Sequence, residues 1–214
     1  MNVSAPSELL TTVLRVLEII GVLAFAASGL IEAARKKFDI FGVVLIAFIA
    51  AFGGGTLRDI LLDRRPFFWV ENQAILWLVI GFAVLAPFFV RARHIEFTAR
   101  AMLWPDAIGL GLFTASGAQI ALDAGCSPLI AAVMAVVSTV FGGILRDVLV
   151  SEIPRALHDH QPYAVMAFAG AWVLWGLEYL HLDTLVAVLV TSALVMGLRF
   201  AAIAFGWKIP AWRL

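Results

Sequence analysis

The chain has 214 residues, 63% hydrophobic and 14% charged, with a mean hydropathy of +0.99 and a formal net charge of zero. Soluble domains are about 45–50% apolar and about 25% charged, so this composition excludes one and specifies an integral membrane protein. Zero net charge leaves no basic surface for nucleic acid, and the single cysteine, Cys126, excludes an internal disulfide and reads as a small apolar packing residue.

Apolar runs near the length a bilayer demands predict seven spans, at residues 9–33, 38–62, 74–90, 105–122, 128–150, 163–179 and 183–204. Ala24-Phe25-Ala26 resembles a signal-peptide cleavage site. However, no lysine or arginine precedes Arg15, and Arg15 and Glu18 interrupt the apolar stretch, so it reads as a retained first span. Both residues fall near the outer end of that span and read as interfacial. The connections at 123–127 and 180–182 are very short, so the chain reads as one transmembrane domain over residues 1–214, an all-α helical bundle.

Lysine and arginine set the orientation. Arg35, Lys36, Lys37, Arg91, Arg93, Arg100, Arg155, Lys208 and Arg213 collect on one side, against Arg15, Arg64 and Arg65 on the other. Nine against three makes the first side cytoplasmic, with the N-terminus outside and the C-terminus inside. Trp69, Trp104, Trp207 and Trp212 lie near predicted span ends, where amphipathic rings prefer to sit, while Trp77, Trp172 and Trp175 read as lipid-facing or packing residues.

The second span carries Gly53-Gly54-Gly55-Thr56-Leu57-Arg58-Asp59 and the fifth carries Gly142-Gly143-Ile144-Leu145-Arg146-Asp147. Glycine costs about 1 kcal/mol in a helix interior, and a charge at membrane depth about 2.5–3.5 kcal/mol. The plain reading is tight helix packing with a snorkelling arginine. The functional reading, favoured because the costs recur together, is that glycines break both helices and expose backbone to a polar path.

An offset of 88 residues aligns 21–66 with 109–154 without a gap, and 14 of the 46 positions are identical. They include Phe25/Phe113, both Ala-Ser-Gly triplets (Ser28 and Ser116), both Gly-Gly pairs, both Leu-Arg-Asp triplets and Pro66/Pro154. Three spans per unit is an odd number, so the second unit enters from the opposite side. The halves are then inverted repeats, at about 9–92 and 104–180, with a seventh helix at 183–204 left over.

These paired motifs and the three-plus-three-plus-one layout resemble prokaryotic members of the trimeric intracellular cation (TRIC) channel family, over nearly the whole chain. The resemblance implies a homotrimer in a bacterial or archaeal cell membrane. Each protomer would have its own pore, lined by kinked helices two and five, passing monovalent cations, K+ foremost and Na+ as well, with no cofactor. Animal relatives carry a lysine-rich, phosphoinositide-binding motif after the second-helix kink. This chain has Gly-Thr-Leu-Arg-Asp there, so that regulation is not implied. Bacterial sequences of this kind have also been labelled glycine transporters.

The candidate permeation residues are Gly53, Gly54, Gly55, Arg58, Asp59, Gly142, Gly143, Arg146, Asp147, Ser28 and Ser116, with Thr56, Ser138, Thr139 and Gln119 weaker. Unwound glycines would free carbonyls for a cation, assisted by the negative ends of the preceding half-helices. Neighbouring Arg58 and Asp59 point to different helix faces, which predicts crossed pairs, Arg58 with Asp147 and Arg146 with Asp59. A purely structural role for both pairs stands beside this. For Ser28 and Ser116 close helix packing is the commoner explanation, with a hydroxyl turned to the cavity or back-bonded to its own helix as the others. His158-Asp159-His160 reads as a solvated loop, and Arg199 as snorkelling to the cytoplasmic surface. No nucleotide-binding, nucleophile or metal constellation suggests an enzyme. A cation channel, a small-solute carrier and a non-transporting scaffold all remain open at this level.

Overall fold

A computed structural model describes residues 8–93, 100–158 and 161–210. Among the described residues there are nine helices: α1 (Glu8–Arg35), α2 (Ile40–Leu61), α3 (Phe68–Glu71), α4 (Gln73–Arg93), α5 (Leu103–Asp123), α6 (Pro128–Leu149), α7 (Arg155–His158), α8 (Ala164–Tyr179) and α9 (Thr184–Phe205). Each predicted span coincides with one of the longer helices. α1, α2, α6 and α9 are long and apolar enough to cross a membrane, while α8 and the 73–86 part of α4 are apolar but shorter.

Helix starts follow ordinary capping chemistry. The Asp39 side chain accepts from Gly42 N at 2.8 Å to begin α2, and Asp183 accepts from Leu185 N at 2.9 Å to begin α9. Ser127 is the N-cap of α6, followed by Pro128, whose missing N–H is harmless at that position. Gly206, at φ 66°, ends α9 in the left-handed conformation that glycine adopts without strain.

α5 is the hub. It is buried along most of its length and packs against α1, α6, α8 and α9. Small residues allow this close approach: a Cβ on Gly111 would lie 2.6 Å from the Ser192 carbonyl, and one on Gly117 would lie 2.7 Å from Ser138 Oγ. α1 and α2 pack together, as do α5 and α6, and the two pairs meet along α1–α5 and α2–α6. The contacts are reciprocal at the centre. A Cβ on Gly21 would lie 2.7 Å from Phe113, and one on Gly109 would lie 2.7 Å from Phe25, with the two rings 5.4 Å apart.

The expectation of helices broken at the glycines is not met. α2 is continuous α-helix through Gly53–Gly55, and α6 through Gly142–Gly143. The physical reason is contact between the two helices. A Cβ on Gly54 would lie 2.2 Å from the Ser138 carbonyl oxygen, and one on Gly142 would lie 2.5 Å from that of Ala50. The glycines let two backbones touch rather than unwinding either of them.

The outer surface is apolar, with Trp77 and Phe205 among its most exposed side chains. Trp104 and Trp207 are exposed near helix ends, and Trp172 is exposed along α8. Trp212 and Arg213 lie outside the described residues.

Candidate functional site

Arg58 sits in the last turn of α2 and Arg146 in the last turn of α6, where the helix dipole presents partial negative charge to a cation. Both are nearly inaccessible, at 0% and 2% exposure. Arg58 folds back onto its neighbour, with Nε 2.9 Å and Nη2 2.8 Å from Asp59 Oδ1. Its Nη2 also lies 2.9 Å from Glu18 Oε1 on α1. Arg146 places Nε and Nη2 each 2.9 Å from Asp147 Oδ1, and Nη1 3.1 Å from Asp106 Oδ1 on α5. Arg146 Nη1 also donates to Ser28 Oγ, which donates to Asp106 Oδ1 at 3.3 Å. The Arg155 amide donates to Asp147 Oδ2 at 3.0 Å.

These two clusters occupy matching positions. Adding 88 to Glu18, Arg58 and Asp59 gives Asp106, Arg146 and Asp147, so each guanidinium meets two carboxylates of its own half. The crossed pairs, Arg58 with Asp147 and Arg146 with Asp59, do not occur among the described residues. An arginine is long enough to bend back to the next residue's carboxylate, and its planar fork then reaches a second acid on the adjacent helix. Glu18, expected at the interface, is 4% exposed and belongs to the site. It and Asp106 were legible only as a pair of acids in one register.

The two clusters face different spaces. Glu18 lines a cavity of about 450 Å³ together with Thr11, Arg15, Arg64, Asn72 and Asp123. Arg64 Nη1 reaches to 3.7 Å from Asp59. The Arg146 cluster adjoins a space of only about 20 Å³, lined also by Gly143, Tyr163 and Arg199. That is roughly the room one water needs. Arg199, expected to snorkel, is 3% exposed, and its guanidinium carbon lies 5.0 Å from the centre of the Tyr163 ring.

Beyond that end, a charged network joins α1 to the segment after α6. Glu32, buried at 1% exposure, takes Arg35 at 2.5 Å and Arg155 at 3.3 Å. Arg35 and Lys36 both pair with Glu152, and the Lys36 hydrogen bond holds the Glu152 carboxyl below its usual range.

The remaining candidates separate. Gly55 and Gly143 face the arginines, their would-be Cβ atoms 4.0 Å from Arg58 Nη2 and 3.6 Å from Arg146 Nη2. Ser116 is fully buried, and among the described residues its Oγ has no hydrogen-bond partner. Ser138 donates to the Met134 carbonyl at 2.7 Å and Thr139 to that of Ala135 at 2.9 Å, both back-bonds within α6. Gln119 donates to Asp123 at 2.9 Å. Gly53 and Thr56 instead line an apolar hollow of about 390 Å³ with Phe48, Phe52, Trp69 and Leu145, where Trp69 Nε1 donates to Thr56 Oγ1 at 3.1 Å. Thr56→Val is therefore expected to leave transport unchanged and to cost about 1 kcal/mol of stability for the lost hydrogen bond, measured by thermal unfolding in detergent. A change in flux with an intact fold would put Thr56 back on the path.

The side chain of His158, together with Asp159 and His160, lies outside the described residues. Among the described residues, no group of three or more His, Cys, Asp or Glu is placed to hold a metal ion.

A family model described as "Glycine transporter" matches residues 15–91 and 103–179, two stretches whose limits differ by 88 at both ends. A UPF0126 membrane protein of Deinococcus radiodurans is 36% identical over 92% of this chain and 91% of its own length. The inner membrane protein YadS of Escherichia coli K12 is 35% identical over 92% of this chain and 95% of its own. Among solved structures, the TRIC channel orthologue of Rhodobacter sphaeroides superposes with a TM-score of 0.85 at 38% identity, covering 92% of this chain and all of that one. A prokaryotic TRIC channel crystallised in 0.5 M KCl gives 0.81 at 30% identity, over 93% of this chain and 100% of its own. With two copies of the family unit in sequence and the fold matched almost end to end, the chain belongs to the glycine transporter family and is a prokaryotic member of the trimeric intracellular cation channels.

Proposed function

We propose that the protein is a passive, non-enzymatic channel for monovalent cations, with the route inside each protomer, beside the α2–α6 contact and between the two arginine clusters. The observation that carries this reading is the charge balance of those clusters. Each triad sets one guanidinium against two carboxylates, one formal negative charge within the triad. The first borders the polar cavity, where Arg64 stands 3.7 Å from Asp59, and the second borders the small space that Arg199 shares. A net negative, partly dehydrated site attracts a cation, and the arginine keeps the attraction weak enough for the ion to leave. The similarity to TRIC cation channels supports the same class of substrate. K+ as the favoured ion, Na+ as a second and a homotrimeric assembly rest on the resemblance. Potassium flux into liposomes holding purified protein, with single-channel steps in planar bilayers, tests the reading. Saturable, counter-exchangeable glycine uptake without resolvable steps would replace it with a carrier, the activity named in the family's description.

The whole chain then forms one transmembrane domain of two inverted three-helix halves plus α9. The reciprocal glycine–phenylalanine contacts support a two-fold axis through the Phe25–Phe113 pair. Gly54, Gly55, Gly142 and Gly143 shape this route by bringing the helices together and leaving room for the arginines. Ser28 and Ser116 stand beside it as matching polar groups. The membrane is the cell or inner membrane, with Arg35, Lys36 and Arg155 facing the cytoplasm and the 450 Å³ cavity facing out. Cys126, half-buried in the loop between α5 and α6, gives a direct test. A membrane-impermeant maleimide is expected to label it in intact cells. Labelling only in inside-out vesicles would invert the orientation.

A further inference from the structure

The two clusters match in their six charged groups but not in what stands over them. At the Arg58 end, the register puts Ile75 where the Arg146 end has Tyr163, and the space beyond is the large open cavity. At the Arg146 end, Tyr163 lines the small space together with Asp106, and Arg199 from α9 lies over its ring. α9 falls outside both stretches that match the family unit, so this arginine has no partner in the repeat.

The surrounding charges say what Arg199 does there. Asp106 and Asp147 are held by Arg146, and Arg155 is held by Glu32. The Arg146 cluster keeps one uncancelled negative charge, and Arg199 is the cation beside it. Yet among the described residues the Nε and Nη1 of Arg199 make no hydrogen bonds, although the residue is 3% exposed. A buried guanidinium in this state is retained by the aromatic face and the local field, not by a network. Such a group is easy to displace by an ion that offers the same charge.

We infer that Arg199, seated over Tyr163, is a tethered blocking cation that occupies the site beside Arg146, Asp106 and Asp147 and shuts that end of the route until it swings away. The inference rests on the channel reading and adds to it the device that closes the pore at one end and leaves the other open.

The test uses the full chain in liposomes with potassium flux as the readout. Arg199→Ala is expected to raise flux on the order of 30-fold, the factor a desolvated cation–π contact is worth, while Arg199→Lys stays near the unmodified protein. Guanidinium ion, at concentrations far below denaturing, fills the space left by Arg199→Ala and lowers its flux again, with no such effect on the unmodified chain. Loss of a structural contact alone would not be reversed in this way. A folded Arg199→Ala protein with unchanged flux, or with raised flux indifferent to guanidinium, overturns the inference. If Arg199→Ala fails to fold, Tyr163→Leu removes the ring instead. Raised flux then supports the plug, and unchanged or lowered flux overturns it. Potassium flux absent from every form, together with glycine exchange, would mean that the channel reading itself has failed.

Discussion

Gly54→Ala is expected to destabilise the protein by about 3 kcal/mol or more and to abolish transport, although alanine is the better helix former by about 1 kcal/mol. The sign is decided by the partner atom. The new Cβ would lie 2.2 Å from the Ser138 carbonyl oxygen, a backbone atom of a helix that cannot step aside without moving the whole α2–α6 contact. Gly142→Ala repeats the experiment from the other side, against the Ala50 carbonyl at 2.5 Å. Gly55→Ala is the internal control, since its Cβ would meet nothing nearer than Phe113 at 3.7 Å. Thermal unfolding in detergent should rank Gly54→Ala and Gly142→Ala well below the parent, with Gly55→Ala near it. Equal stability of Gly54→Ala and Gly55→Ala would mean that the helices do not pack through this glycine.

The longer helices were legible because hydropathy and length act locally, and each predicted span overlies a helix to within a few residues. The glycine pairs were legible as special positions but misread as breaks. In sequence, a glycine pair inside an apolar run reports only the lack of side chains. Whether that lack frees the backbone or admits a neighbour depends on an atom such as the Ser138 carbonyl, 84 residues away. The arginine pairs were misassigned for a related reason. Adjacent residues diverge around a helix, but that rule governs Cβ directions, and an arginine carries its charge far enough to bend back. Glu18 was set aside on its place in one span, because it and Asp106 fall just before the aligned block 21–66 and 109–154 and only the same offset of 88, extended outward, pairs them. Arg199 had no register to correct it, because α9 lies outside both stretches that match the family model.

Arg146→Met is expected to cost about 3–5 kcal/mol, the usual range for removing one partner of a buried ion pair. It would strand Asp106 and Asp147, both 5% exposed or less, with no guanidinium between them. Adding Asp106→Asn to Arg146→Met should recover part of the stability by removing one of the two stranded charges. The pairing itself is decided by exchange. Arg146→Asp with Asp106→Arg keeps the charges within one half and is expected to regain stability over either single change. Arg58→Asp with Asp147→Arg crosses between halves and is expected to regain none, since those side chains do not meet. Coupling in a double-mutant cycle reports contact only between residues that share it. A crossed pair that coupled more strongly than Arg146 with Asp106 would reassign both clusters, and with them the charge balance on which the proposed cation route rests.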